Sequence, residues 1–523
     1  MSFDPWKIID RYFKRDPYYL TVHHLDSYNQ FIDGNIEDEI GIEYILKREN
    51  PLYIPKDKDG DTYNHEIYIW FAEEVDSDGN IISSTDSHIQ FAKPILYKDN
   101  EEGDAQNSKY MYPQLARNYN ATYASNVFIN MTILIKEKGE VVHHKFHNKI
   151  NIGKIPIMLH SKICLLNGLS NKQLRNLGEC KYDKGGYFII NGKEKVIISQ
   201  EKKADNMIYI NKSFDDKFTY EATLKSVSKE GFQSSRTNSV GIEKSGRITI
   251  RILGVADRIP IFILFRALGI QSDYEICKLI LGEDPKTCSE EGSILLQALL
   301  PSIKDSNEIY NTETALKFIA LKSTISIIRK FNIDAISIIN NNFLPNYNNQ
   351  NTYKSYYLGL MIQKLLKTSL GIISETDRDH YKNKRVDLSG FLINELYREL
   401  FEKFKKNVKL KIDNRYERDY KKGKFTDMNF FIQDGNIRTI FDYTIIENDL
   451  DKSYRTKWGT GISARDGVVQ DINRNTLLGT TAVLRRVTFP LPSGSKAIGP
   501  RKLHSSQWGY ICPSESPDGS NVG

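Results

Sequence analysis

Between residues 390 and 411 an apolar side chain recurs at every fourth position, Leu392, Leu396, Leu400, Phe404 and Val408, with Ile393, Tyr397 and Phe401 beside them. That spacing gathers a wide stripe on one side of a helix and predicts a core-facing element. Residues 6–13 and 27–36 show the same rhythm over shorter lengths. Residues 261–268 and 313–331 also read as helices, the second with Leu316, Ile319, Ala320, Ile327 and Ile328 on one side. Alternation at 65–71 (HEIYIWF) predicts a strand, and 247–252 continues strand character. At 184–200 two apolar runs, Tyr187 to Ile190 and Val196 to Ile198, flank Asn191-Gly192. Both turn residues tolerate positive φ, so a tight hairpin is expected. An asparagine-rich stretch at 340–351 reads as a surface loop or insertion. Helices mixed with antiparallel strands, without a repeat or a βαβ rhythm, predict an α+β fold of several domains.

Length supports the plural: 523 residues with 40% hydrophobic content exceed what one core usually holds, so two to four domains are expected. The net charge of +6 matters less than its distribution. Residues 57–104 carry three Lys against thirteen acids, whereas 401–424 carry ten basic residues against four. The acidic run reads as a solvated face; the basic helix reads as either a solvated face or a nucleic-acid contact. Between 451 and 523 ten Lys or Arg face five acids, most of them among Gly, Ser, Thr and Pro. Cations presented on loops in this way suit a phosphate backbone. The five cysteines are scattered without CxxC spacing, so neither a zinc knuckle nor a disulfide framework is supported, and reduced intracellular thiols are expected. No signal peptide and no membrane-length apolar run is present in the sequence.

Several local motifs read as structure rather than chemistry. Residues 459–464 fit GxGxxA, yet no apolar strand precedes them, as a dinucleotide site requires. The acidic runs at 57–61 and 76–80 resemble calcium loops, but Tyr68 and Ser87 stand where a bidentate Glu belongs, so turns between strands are expected. His143, His144 and His147 lack a further ligand at metal spacing and read as surface strand histidines. No phosphate-binding P-loop and no Ser/His/Asp nucleophile can be assembled. Arg485-Arg486 are adjacent guanidiniums suited to phosphate oxygens, the alternative being that one of them serves a structural salt bridge.

Four strings in order near the end of the chain carry a resemblance: 465–474 (RDGVVQDINR), 484–486 (LRR), 500–504 (PRKLH) and 508–519 (WGYICPSESPDG). They resemble the fork region of the second-largest subunit of multisubunit DNA-directed RNA polymerases of the eukaryotic, archaeal and large-DNA-virus type. Residues 20–32, 178–200, 260–269 and 377–390 are similar to further segments of that family, so nearly the whole chain is covered. The resemblance implies a protrusion split between 1–208 and 375–437, a lobe at 209–374 and an incomplete fork at 438–523.

By that resemblance Arg465, Gln470, Arg485 and Arg486 fall where the family meets nucleic acid, Gln470 and Arg486 on the RNA strand of the hybrid. Lys496 is the sole charge of the second fork loop, and Arg501 and His504 follow it toward the active centre. Glu515 aligns with an acid near the incoming nucleotide. The family's usual ETPEG stands here as ESPDG, which leaves the role of Asp518 open. Nucleotidyl transfer would need Mg2+ held mainly by a partner, the largest subunit. No metal ligand set and no zinc is implied in this segment, and no polymerisation is expected from this chain alone. The remaining C-terminal half of the second-largest subunit, smaller subunits, DNA and RNA are the other implied partners, with no membrane. A split gene, an insertion or a truncated sequence would each explain the ending at Gly523. The expected location is the nucleus or cytoplasm, or a virion if the source is a large DNA virus, which the Asn, Ile and Lys abundance of an AT-rich genome fits. The rival class is a non-catalytic nucleic-acid-binding scaffold built from the same domains.

Overall fold

The stripe beginning at Leu392 forms a helix, Ser389–Arg415, that outruns its expected end at 411. Ile412 and then Tyr416 prolong the four-residue rhythm and are as buried as Leu392 and Phe404. The structure, a computed structural model, describes all residues except 1–3, 35–39, 60–61, 83–87, 97–108, 229–234, 307–308, 324–330, 421–422, 424–427, 462–463, 490, 492–494, 496 and 518–523. Its contacts divide it into two units, Met1–Glu201 with Val386–Pro490, and Lys202–Arg385 with Leu491–Gly523.

In the first unit the long helix meets an antiparallel sheet of five strands: Leu52–Asp59, Thr62–Phe71, Ile89–Phe91, Ala124–Glu137 and Glu140–Pro156. Phe71 on the sheet packs edge-on to Phe401 at 5.3 Å, with Phe404 and Phe441 completing an aromatic cluster. Such rings supply large apolar area and favourable edge-to-face contacts. Three lysines of the basic run on this helix are paired with the unit's own acids. Lys403 pairs with Asp449 at 2.5 Å, Lys411 with Asp442 at 3.1 Å, and Lys405 with Glu49. For these three lysines the pairing identifies structural cations.

The expected helix at 27–36 starts earlier, as Val22–Asp33, because His24 and Leu25 join Tyr28, Phe31 and Ile32 on its buried side. Helix Pro5–Arg15 is capped by Asp4 and buries none of its residues. The hairpin forms as expected from Phe188–Ile190 and Lys193–Ile197, with φ of 49° at Asn191 and 75° at Gly192. His143, His144 and His147 lie on strand Glu140–Pro156, but His147 is buried rather than at the surface, since it falls on the inward side of that strand. Asp76 accepts from the backbone amides of Asp78 and Asn80 and closes the expected turn.

The second unit is an antiparallel meander, Ile208–Lys212, Phe218–Ser226, Arg236–Glu243, Ile248–Arg251 and Ile259–Pro260, in sequence order. Six helices follow. The first, Ile261–Ala267, is buried on all sides, as a helix apolar all round must be. Its Arg266 is accommodated by the Ser306 carbonyl at 2.7 Å and the Asp273 carboxylate at 2.5 Å. The helix expected at 313–331 spans Thr312–Leu321, and Ile327 and Ile328 lie outside the described residues.

The asparagine-rich stretch is a surface loop only in part: Asn348 to Gln350 are exposed, but the residues before them are not a loop. Asn340 to Asn342 end a helix, Phe331–Asn342, and Phe343 and Leu344 anchor the following turn in the core. Asn342 donates to the Leu253 carbonyl, and the fully buried Lys354 donates to the Ile339 carbonyl at 2.8 Å. Composition pointed to a loop because it weighed the amides and not the two apolar anchors between them. Among the described residues no helix is long and apolar enough to cross a membrane.

Candidate nucleic-acid interface

Three short elements carry the candidate residues of the first unit. Strand Val469–Asp471 adds to the hairpin antiparallel, Gln470 opposite Val196 and Asp471 opposite Lys195, with a Lys195–Asp471 ion pair at 2.6 Å. Helix Leu477–Leu484 begins at Thr476, whose hydroxyl accepts from the Gly479 amide at 2.9 Å, a serviceable N-cap. Its Val483 and Leu484 insert into the apolar cluster formed by Tyr187, Ile189, Val196 and Ile198. Strand Val487–Thr488 then runs parallel to Ser199 and Gln200.

Arg485 and Arg486 stand between that helix and that strand, both exposed, and among the described residues neither makes an ion pair. The salt-bridge alternative therefore finds no partner carboxylate for either. Arg486 Nη1 donates to Gln470 Oε1 at 3.1 Å, so two residues assigned to the same contact from sequence lie together. Gln470 in turn donates to the Gly467 carbonyl at 3.1 Å. Arg465 is exposed, its backbone bridged in both directions to Trp458. Other cations of this stretch are neutralised locally: Arg455 by Asp451, Lys457 by Asp466 at 3.2 Å and Arg474 by Glu194 at 2.6 Å.

In the second unit Arg501 closes a short turn, Gly499–Arg501, and is half-buried. His504 is engaged by protein. Its Nδ1 accepts from the Ser506 amide at 3.1 Å, so the proton sits on Nε2 and is donated to Asp377 Oδ2 at 2.8 Å. Burial alone would raise the Asp377 pKa, but the Asp379 amide and His504 outweigh it and hold the carboxyl below its ordinary value. Glu515 is exposed on a turn, its amide bonded to the Cys512 carbonyl. Lys496 and Asp518 lie outside the described residues.

Two groupings were not read from the sequence. The first is an ionic cluster lining a cleft of about 660 Å³ on the first unit. Glu194 accepts from Arg117 Nε at 2.9 Å and from Arg474 Nε at 2.6 Å, while both guanidiniums reach the Tyr187 hydroxyl at 2.8 Å. Glu179 and Asp183 complete it. Burial pushes the Glu194 and Asp183 pKa values up, yet Arg474 and Arg117 on Glu194, and the Tyr187 hydroxyl and Gly185 amide on Asp183, bring both below the usual range. Both guanidiniums are satisfied by carboxylates within the unit, so the cluster fastens the segment around Arg474 to the hairpin.

The second grouping is His23 and His24, whose rings stand 4.3 Å apart beside the last carbonyl of helix Leu477–Leu484. Burial pushes the His24 pKa down to about 3, with the neighbouring His23 adding to the effect and the Leu484 carbonyl opposing it. The unfolded chain takes up this proton near pH 6.5 and the folded one near pH 3. His24 thus contributes stability above pH 6.5 that is lost progressively as pH falls toward 3. In urea denaturation between pH 6.5 and 5, His24→Gln is expected to flatten the acid-side fall in stability by about 1 kcal/mol per pH unit.

Residues 19–438 match the model of the family described as RNA polymerase beta subunit, and 470–523 match RNA polymerase Rpb2, domain 3. The chain belongs to the RNA polymerase beta-subunit (Rpb2) family. It is 32% identical over 531 residues to DNA-directed RNA polymerase II subunit RPB2 of Encephalitozoon cuniculi, covering 99% of this chain and 42% of that protein. To DNA-directed RNA polymerase II subunit 2 of Arabidopsis thaliana it is 31% identical, with the same two coverages. To the archaeal subunit Rpo2N of Methanococcus vannielii it is 29% identical, covering 99% of this chain and 92% of that one. The chain thus spans about two fifths of the length of the eukaryotic relatives. Among the described residues no group of three His, Cys, Asp or Glu side chains could hold a metal ion.

Proposed function

We propose that this chain forms part of the second-largest subunit of a DNA-directed RNA polymerase and supplies one wall of the DNA cleft. In this reading residues 1–208 and 375–437 are the protrusion, 209–374 the lobe and 438–523 the fork. Arg465, Gln470, Arg485 and Arg486 meet nucleic acid, Gln470 and Arg486 on the RNA strand of the hybrid. Lys496 is the charge of the second fork loop, Arg501 and His504 lie toward the active centre, and Glu515 is near the incoming nucleotide. In this reading the carboxylates for Mg2+ belong to the largest subunit. The remainder of the second-largest subunit and the smaller subunits complete the enzyme.

The observation that carries the reading is the exposed Arg485–Arg486 pair, without a carboxylate partner among the described residues and joined to Gln470. A cation left unpaired at a surface whose neighbours are neutralised is poised for an anion from outside. Contacts of that kind position a nucleic acid without reading its sequence, and they weaken with salt. The scaffold alternative is not favoured, because the relatives above are named polymerase subunits.

In the assembled polymerase, Arg486→Ala is expected to shorten elongation-complex lifetime about tenfold, the loss of ~1.4 kcal/mol. It should also reduce the salt dependence by about one phosphate contact and alter promoter loading less. A lifetime equal to that of the unmodified enzyme would overturn the hybrid contact.

A further inference from the structure

A helix leaves its final carbonyls without partners of its own, and whatever satisfies them fixes the direction in which the chain departs. In helix Leu477–Leu484 the last of these carbonyls is taken twice. His24 Nε2 reaches the Leu484 oxygen at 2.7 Å and His23 Nε2 reaches it at 3.3 Å, both from the first turn of helix Val22–Asp33. A carbonyl only accepts, so His24 carries its proton on Nε2, and Nδ1 accepts from the Ser389 hydroxyl at 3.2 Å. Ser389 opens the long helix Ser389–Arg415 and is fully buried. One imidazole thus links three helices at the residue immediately before Arg485.

The surroundings explain why an uncharged ring suits this place. Among the causes that hold His23 in its neutral form, burial is the largest, and the charge of Arg485 adds to it. The Arg485 cation is therefore close to the pair, and a lysine at either histidine would repel it. A neutral imidazole donates the needed hydrogen bond without adding positive charge beside the two guanidiniums. Both rings have few rotatable bonds, so the carbonyl is held at a small entropic cost.

We infer that His24, supported by His23, is a positioning residue for the Arg485–Arg486 pair: it fixes the carbonyl from which the chain turns into strand Val487–Thr488, and so aims both guanidiniums at a phosphate strand. The inference rests on the hybrid-contact reading given above. It extends that reading to a residue more than 450 positions away in the sequence, on an element the fork strings do not include.

The experiment uses the assembled polymerase on an RNA–DNA scaffold, with complex lifetime followed across a salt series for His24→Leu, His24→Gln and Arg486→Ala. Glutamine places an N–H close to the imidazole Nε2, so it should restore what leucine loses. Expected are a lifetime about fivefold shorter for His24→Leu, a salt dependence reduced by about one phosphate contact, and near-normal values for His24→Gln. A purely structural cap would lower the melting midpoint of His24→Leu and leave the salt dependence unchanged, which overturns the inference. So does a His24→Gln variant as impaired as His24→Leu. Should His24→Leu not assemble, His23→Leu removes the weaker bond and is expected to shift lifetime and salt dependence the same way to a smaller degree, with no shift counting against. If Arg486→Ala shortens the lifetime and the histidine variants do not, the positioning role alone is overturned. If Arg486→Ala has no effect, the hybrid contact fails and the positioning role falls with it.

Discussion

Glu194→Ala is expected to destabilise the unit built from Met1–Glu201 and Val386–Pro490 by about 3 kcal/mol, to be read as a shift in the urea midpoint of unfolding. Its carboxylate lies between two guanidiniums, accepting from Arg117 on one side and twice from Arg474 on the other. Removing it takes away the carboxylate that the two guanidiniums share and leaves them facing each other at the Tyr187 hydroxyl, Arg117 with Glu179 and Arg474 with Asp183. The loss of one partner from a half-buried pair costs more than the pair contributes, because the remaining charge keeps its desolvation penalty. Arg474 is 42% exposed, so water screens part of that penalty, and the figure lies at the low end of the range for buried pairs. Glu194→Gln keeps an acceptor and should cost less. The double variant Glu194→Ala with Arg474→Ala should cost less than the sum of the singles, since each removes the other's reason for being charged there. Additive costs would show that the cluster does not act as a unit.

A comparable loss is expected from Gly390→Ala. Gly390 lies in the first turn of the long helix, its amide bonded to the Ser27 hydroxyl at 3.0 Å. A Cβ at this position would overlap the carbonyl oxygen and carbon of Ser27, backbone atoms that no rotamer change can move. The two helices would have to separate, which also parts Ser389 from His24. About 3 kcal/mol is expected, read from thermal or urea unfolding. Gly435→Ala is the control: helix Asp434–Ile440 leaves open space around that position, so alanine should raise stability by about 0.5–1 kcal/mol through helix propensity. Equal effects at the two glycines would show that close approach is not what selects glycine at 390.

Elements whose cause is local were legible in the sequence. Asn191-Gly192 specified its turn because both residues reach positive φ at low cost, and the stripe from Leu392 to Val408 specified a helix and its buried side. The same reasoning failed where neighbours in sequence are poor guides to surroundings. Asn340 to Gln350 looked solvated until Phe343 and Leu344 proved to be anchors, and the basic residues Lys403, Lys405 and Lys411 looked free until their carboxylates arrived from 49, 442 and 449. For the candidate site, four strings marked the segment and the residue types. They did not reveal which cations are neutralised at home. Arg474 and Arg486 look alike in the sequence, but Glu194 takes the first, and the second has Gln470 as its hydrogen-bond partner.

Secondary structure, the α+β class and the family membership thus follow from patterns within windows of a few to some tens of residues, where dihedral preference and apolar period act directly. The availability of each arginine, the proton position on His24 and His504, and the anchoring of the fork strand follow from pairings across as many as 460 residues. Those pairings exist only once the chain has closed its long loops and excluded water. Desolvation then makes an unmatched charge costly, and it sets which groups are consumed inside the unit and which are left facing out.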